Sequence, residues 1–111
     1  MMTGKIVYIA APYTLGDTGR NIWNVIDCAN NLCDLGFVPY IPHLTHFWHI
    51  VSPKPAQFWY EYDLVFLSFC DCLLRLPGES IGADNEVKVA KELCIPVYYS
   101  VEELTNEKDR T

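Results

Sequence analysis

Short apolar runs alternate with segments of helical periodicity along almost the whole chain, and this alternation constrains the fold most strongly. The runs are rich in β-branched residues and have no helical period, which is typical of buried strands. In the intervening segments apolar residues recur every three or four positions, as on amphipathic helices. Such alternation predicts an α/β sandwich around a parallel sheet, with right-handed crossovers. The predicted strands are residues 5–10, 37–41, 72–76 and 96–99, and the predicted helices are residues 20–35, 52–69 and 83–94.

Breaks between these elements follow from proline, glycine and capping residues. Gly36 is the expected residue after the first helix, and Pro39 predicts an edge position for the second strand, because proline cannot donate to a ladder. Ser100 and Glu103 form a capping box for a short last helix, ahead of a charged tail that is expected to fray. We expect loops over residues 11–19, 42–54 and 77–82.

Composition limits the protein class. The 111 residues predict one domain over 1–111, and 50% hydrophobic content is enough for a core. The net charge is −6 and the eight basic residues are scattered, so we expect no nucleic-acid polymer as partner, although a free nucleotide remains compatible. No apolar run approaches the roughly 20 residues that span a bilayer. The five cysteines form no CxxC pair, which predicts reduced thiols in a cytoplasmic protein and argues against a metal site formed by them. We expect no metal and no other cofactor.

The segment after the third predicted strand carries the most informative residues. Parallel α/β sheets bind ligands at the carboxyl ends of their strands. There, Ser80 leads into a helix whose free N–H groups attract anions, so it either binds a phosphate or only caps the helix. Glu86 follows in the first or second turn, and it is either a nucleophile for an electrophilic carbon or a solvated acid that favours the helix dipole.

Other candidate groups come from elsewhere in the chain. Asp63 lies in a strongly aromatic stretch, where partial desolvation raises a pKa into the range for proton transfer; alternatively it pairs with Arg75 or Lys54. Tyr8, in the middle of the first strand, needs a partner for its hydroxyl, and a catalytic carboxylate would serve. Asp71 is interpreted as a structural turn or cap residue.

Three histidines are spaced three residues apart in the second loop. His43, His46 and His49 have a spacing that a metal could use, but the loop lacks rigid geometry and a defined fourth ligand. We therefore expect one or two of them to line a ligand pocket with Phe47 and Trp48.

Several motifs in a fixed order carry a family resemblance over about residues 5–100. In chain order they are VYIAAPY at 7–13, Gly36, Pro42-His43, Asp63-Leu64, Cys70-Asp71 and LPGESIGADNE at 76–86. With these motifs the chain resembles the nucleoside 2-deoxyribosyltransferase-like superfamily, and within it the small bacterial and phage domains of unknown function such as DUF4406.

The resemblance implies a flavodoxin-like three-layer sandwich with a four- to five-stranded parallel sheet. It implies cleavage or transfer of the N-glycosidic bond of 2′-deoxynucleosides or their 5′-monophosphates. By the matching motifs, Glu86 is the nucleophile, Tyr8 holds it, and Asp63 assists proton transfer or binds the sugar. Ser80 matches the position that contacts the 5′ end, where serine suits a phosphate and an acid suits a free hydroxyl.

Further substrate contacts and partners are expected on the same basis. The family's sites are often completed by a second subunit, which implies a homodimer or higher homo-oligomer, and the apolar stretch of residues 58–69 is compatible with an interface. A non-catalytic nucleotide or nucleotide-sugar sensor, or a purely structural protein, are the alternatives. The remaining residues expected to bind substrate are Pro12, Tyr13, Thr14, His43, Gly78 and Gly82.

Overall fold

The fold is an α/β sandwich around a parallel sheet. A computed structural model describes residues 4–13 and 15–110. Within that range four parallel strands are ordered β2-β1-β3-β4, the flavodoxin-like arrangement, which confirms the predicted class. The strands are β1 (Ile6–Ala10), β2 (Val38–Tyr40), β3 (Cys72–Arg75) and β4 (Val97–Tyr98).

Helices cover both faces of the sheet. One core cluster joins Val7 and Ile9 of β1 to the first and last helices through Leu32 and Leu104. The other face carries the third and fourth helices. None of the described helices has the length and apolar character to cross a membrane. The helices are α1 (Thr18–Asp34), α2 (Thr45–Val51), α3 (Ala56–Leu67), α4 (Ile81–Glu92) and α5 (Val101–Arg110).

The face that carries α3 and α4 is the one on which Tyr8 lies. Tyr8 and Leu73 are fully buried there against Leu67 of α3 and Ala83 and Ala90 of α4. Alternate residues of a strand point to opposite faces, so Tyr8 is directed away from the cluster formed by its two neighbours in β1. Side chains from β1, α3 and α4 therefore lie close together on this face.

Strand β2 lies at the edge of the sheet, as Pro39 predicted. Its register pairs Ile6 with Val38 and Tyr8 with Tyr40. Because paired residues of adjacent strands point to the same face, Tyr8 and Tyr40 stand side by side.

The segment predicted as a loop over residues 42–54 is largely helical, so that prediction is wrong. A short 3₁₀ helix at Pro42–Leu44 leads directly into α2. Proline suits a first helical turn, because its fixed φ matches and its missing N–H has no partner there anyway. The following helix starts at Ala56, later than the predicted residue 52, because Pro53 and Pro55 hold the preceding backbone extended.

Candidate active site

Helix α4 begins two residues earlier than predicted, and its start sets the direction of Glu86. Ser80 is the N-cap, and its hydroxyl accepts from the Ala83 N–H at 3.1 Å. The capping role considered for Ser80 is thus present. Gly82 becomes a residue of the first helical turn, and a Cβ built on it would meet nothing within 4 Å. Glu86 comes five residues after Ile81 and faces the sheet.

A hydrogen bond between β1 and α4 forms the buried end of the site. The Tyr8 hydroxyl donates to Oε2 of Glu86. Burial and the nearby carboxylates raise the pKa of Tyr8, so the phenol keeps its proton and acts as a donor. Burial also raises the pKa of Glu86 to about 7, while the bond from Tyr8 opposes that shift by favouring the charged carboxylate. Glu86 is therefore directed at Tyr8 rather than being a solvated acid.

A second tyrosine and carboxylate lie beside the first pair. The Tyr40 hydroxyl donates to Oδ1 of Asp63 at 3.2 Å. Burial raises the pKa of Asp63 to about 7, and the bond from Tyr40 opposes this rise. The partner of Asp63 is thus Tyr40, and not the Arg75 or Lys54 considered from the sequence.

The two carboxylates interact with each other. The charge of Asp63 raises the pKa of Glu86 in addition to the effect of burial. The Tyr8 and Tyr40 rings lie 5.4 Å apart between centroids. Because the charge of Asp63 opposes ionisation of Glu86, the state with one ionised carboxyl is favoured over the doubly charged state. One protonated and one ionised carboxyl is the combination that acid-assisted displacement chemistry uses.

The loop after β3 is held in place by Arg75, which the sequence suggested only as a partner of Asp63. Arg75 is 9% exposed, and its guanidinium donates to the carbonyls of Leu76 and Gly78, the latter at 2.8 Å. It also pairs with Asp84 at 3.0 Å. Its positive charge lowers the pKa of Glu86. The only sequence signal for this role is a charged residue inside an otherwise apolar strand.

Gly78 brings this loop against the loop after β1. Its φ is +121°, and a Cβ there would lie 2.6 Å from Cγ of Pro12. That approach requires glycine at this position. The Pro12 carbonyl in turn accepts a hydrogen bond from Nε2 of His43 at 2.8 Å. Gly78 and His43 therefore both contact Pro12 at the carboxyl ends of the strands, and all three residues were expected to contact substrate.

The histidines of the second loop have separate partners. His43 is 5% exposed, and burial lowers its pKa, so its imidazole is held neutral. His46 shares a hydrogen bond with the hydroxyl of Tyr13, while His49 accepts from the Trp59 indole N–H at 2.8 Å. Thr14, also expected to contact substrate, lies outside the described residues.

An open, largely apolar pocket of about 310 Å³ shares the residue Tyr40 with the site, and its lining includes neither carboxylate. The Tyr40 hydroxyl is bonded to Asp63. Of the two aromatic residues expected to line a pocket, Trp48 does so, whereas Phe47 is 67% exposed. The cavity is lined by Pro39, Tyr40, Ile41, Leu44, Thr45, Trp48 and Tyr62.

Comparison with known proteins places the chain in a family. A family model described as a domain of unknown function, DUF7768, matches residues 5–100. The chain belongs to the DUF7768 family. The expectation of the family DUF4406 is therefore wrong, because the family that matches is DUF7768. No curated protein matches the sequence of this DUF7768 domain.

A solved structure resembles the DUF7768 domain in fold. It is described as a 2-deoxyribosyltransferase from the psychrotolerant bacterium Bacillus psychrosaccharolyticus. The identity is 20%, the match covers 83% of this chain and 69% of that chain, and the TM-score is 0.64. The DUF7768 domain thus has a 2-deoxyribosyltransferase-like fold, as the resemblance in the sequence implied.

Proposed function

We propose that this DUF7768 domain cleaves or transfers the N-glycosidic bond of 2′-deoxynucleosides or their 5′-monophosphates. The observation that carries the proposal is the pair of partly buried carboxylates, Glu86 and Asp63, each bonded to a tyrosine hydroxyl at one end of a parallel sheet. The likeness in fold to a 2-deoxyribosyltransferase supports the same chemistry.

Glu86 is the proposed nucleophile. Cleavage of a glycosidic bond passes through an oxocarbenium-like state, which an anionic carboxylate on one face of the sugar stabilises. An oxygen of Glu86 forms a bond to C1′ as the C1′–N bond to the base breaks. The Tyr8 hydroxyl favours the ionised form of Glu86 and fixes the direction of its carboxylate.

Asp63 is the proposed proton donor to the departing base. Burial keeps its pKa near 7, so a large fraction is protonated at neutral pH. The base leaves with that proton. Water, or a second base, then attacks C1′, the bond to Glu86 breaks, and the proton of the attacking group passes to Asp63. Water makes the domain a hydrolase, and a second base makes it a transferase.

The aromatic pocket beside Tyr40 and the start of α4 at Ser80 favour a substrate with a planar base and a 5′-phosphate. The cavity beside Tyr40 has Trp48 and Tyr62 in its lining, and aromatic rings of this kind stack on planar heterocycles. The Ser80 hydroxyl accepts from a backbone N–H and keeps its own proton to donate, and it stands at the positive end of α4. We therefore favour a 5′-phosphate at Ser80, with Gly82 close by.

We also propose that two or more copies associate through the exposed surface of α2, α3 and the turn that follows α3. Large apolar side chains are exposed there. They include Phe47 at 67%, Val51 at 84%, Val65 at 58% and Phe69 at 74% exposure. Exposed apolar surface of this kind marks interaction sites.

The test is release of free base. The protein is incubated with a panel of 2′-deoxynucleosides and their 5′-monophosphates, with and without an acceptor base, and products are separated by chromatography. Glu86→Gln and Glu86→Ala are compared with Glu92→Gln, which makes the same charge change at the far end of α4. We expect release by the wild type and by Glu92→Gln only.

The outcomes distinguish the possibilities. Release from monophosphates alone supports a nucleotide hydrolase with the phosphate at Ser80, and exchange only with an acceptor base supports a transferase. Binding of a nucleotide without release, at protein concentrations that suffice for a single turnover, refutes the enzymatic proposal and favours the sensor. Glu86 is hydrogen-bonded to Tyr8 rather than to a cationic side chain, and this contact favours catalysis over sensing.

A further inference from the structure

Tyr40 donates a hydrogen bond to Asp63 in the same way that Tyr8 donates one to Glu86. The two residues are paired in the register of β1 and β2, and their rings leave the same face of the sheet. Each hydroxyl donates to a carboxylate, Tyr8 to Glu86 and Tyr40 to Asp63. Two matched tyrosines on adjacent strands therefore hold two carboxylates that come from two different helices.

The Tyr40 ring is fixed by the helix that supplies Asp63. It stacks on Phe66, with ring centroids 4.8 Å apart and an angle of 11° between the planes. Phe66 follows Asp63 by three residues on α3, so both side chains lie on the same face of that helix. The stacking surface and the hydrogen-bond acceptor thus belong to one rigid element, which keeps the Tyr40 hydroxyl on Oδ1.

We propose that Tyr40 is the positioning residue of Asp63, and that by occupying Oδ1 it makes Oδ2 the oxygen that delivers and retakes the proton. This inference rests on the proposed function. The Oδ2–H bond of Asp63 breaks and its proton goes to the base nitrogen as the C1′–N bond breaks and the bond to Glu86 forms. When water attacks C1′, the electron pair returns to Glu86 and the water's proton returns to Oδ2.

The hydrogen bond from Tyr40 also sets the pH range in which Asp63 gives up or accepts a proton. Burial alone drives a carboxyl towards the permanently protonated state, and the Tyr40 hydroxyl counters this by stabilising the anion. A group that titrates near neutral pH can both give and take a proton there. The titratable groups around Asp63 and Tyr40 are Tyr8 from β1, Tyr62 from α3, Cys70 after α3 and Glu86 from α4, and Arg75 of β3 acts in turn on Glu86.

Tyr40→Phe tests the inference, because it removes the hydroxyl and keeps the stacked ring. Tyr60→Phe is the matched control, since Tyr60 lies on α3, the helix that supplies Asp63, whereas the hydrogen bonds to the two carboxylates come from Tyr8 and Tyr40. The titration of Asp63 is followed by the NMR signal of its ¹³C-labelled carboxyl, assigned with Asp63→Asn. We expect the midpoint to rise by about 0.5–1 pH unit in Tyr40→Phe, the equivalent of one hydrogen bond to a carboxylate.

The kinetics give a second readout. The alkaline limb of the pH profile of kcat/KM should move upward with the midpoint, and kcat should fall several-fold with KM nearly unchanged. Tyr60→Phe should match the wild type in all three measurements. A Tyr40→Phe midpoint equal to that of the wild type overturns the inference, even if activity falls.

Failure of the inference and failure of the proposed function look different. Base release by Tyr40→Phe that equals release by Tyr60→Phe refutes the role of Tyr40 alone. A wild type that releases no base refutes the proposed function, and the Asp63 midpoint in Tyr40→Phe still decides whether Tyr40 controls this carboxyl. If Tyr40→Phe does not fold, the ¹³Cζ signal of Tyr40 in the wild type serves instead. It should titrate with the Asp63 midpoint, and independence from that midpoint contradicts the inference.

Discussion

Replacing Glu86 with glutamine should make the stability of the protein less dependent on pH. Burial raises the pKa of Glu86 from its ordinary 4.5 to about 7. Below about pH 4.5 the carboxyl is protonated in both the folded and the unfolded chain, so burial of a charge has no cost. Above pH 7 it is charged in both states, and the folded state bears the cost of desolvation. Wild-type stability therefore falls as the pH rises through this window.

The size of the effect follows from the shift. A rise of about 2.5 pH units corresponds to about 3 kcal/mol, at 1.36 kcal/mol for each unit. Glutamine keeps an acceptor for the Tyr8 hydroxyl but adds an amide N–H₂ group, whose burial is a penalty that does not vary with pH. The difference in unfolding free energy between Glu86→Gln and wild type should therefore shift by about 2–3 kcal/mol in favour of the variant between pH 4 and pH 8.

Urea unfolding, followed by tryptophan fluorescence at both pH values, measures this difference. Glu92→Gln, at the end of the same helix, should show no comparable shift. A Glu86→Gln variant whose stability relative to wild type is the same at pH 4 and pH 8 would refute the argument that a desolvated charge resides on Glu86.

Three further substitutions test the residues that position the loop after β3 and the start of α4. Gly78→Ala should lower the free energy of unfolding by about 1–3 kcal/mol, because a Cβ at φ +121° would approach Pro12 to 2.6 Å; a loss under about 0.5 kcal/mol in urea unfolding would contradict that contact. Ser80→Ala should destabilise by about 1 kcal/mol through loss of the N-cap, with faster amide exchange in the first turn of α4; unchanged exchange would count against the cap. Arg75→Met should raise the NMR titration midpoint of Glu86, since the guanidinium charge lowers it, and a lower midpoint would reverse the assigned sign.

The fold was predictable because its signals are local. Strand runs, helical stripes and the edge strand marked by Pro39 all appear in the structure with small shifts in their bounds. The prediction of a loop over residues 42–54 is wrong because histidines and aromatic residues have low intrinsic helix propensity, which hides the helix in the local pattern. Packing of Trp48 against Trp59 and Tyr62 supports α2 instead, and such tertiary contacts are invisible in a local pattern.

A residue of the candidate site can be picked out of the sequence only where it stands out by type and place. Glu86 and Asp63 did so because carboxylates are unusual beside a strand end and among aromatic residues. Tyr40 did not, because an aromatic residue in a strand is ordinary, and its significance depends on the register that sets it opposite Tyr8. The partners of Arg75 could not be read from the sequence for a similar reason, since they are two backbone carbonyls and the Asp84 carboxylate, which the loop after β3 brings together.

The most direct test of the central claim is a search for the covalent intermediate on Glu86. The protein is mixed with a 2′-deoxynucleoside 5′-monophosphate, quenched in acid within milliseconds, digested and analysed by mass spectrometry. If Glu86 is the nucleophile, a deoxyribosyl phosphate adduct forms on the peptide that contains Glu86, together with free base, and is absent in Glu86→Gln. Release of base at full rate by Glu86→Gln, or an adduct on another residue, would contradict this assignment.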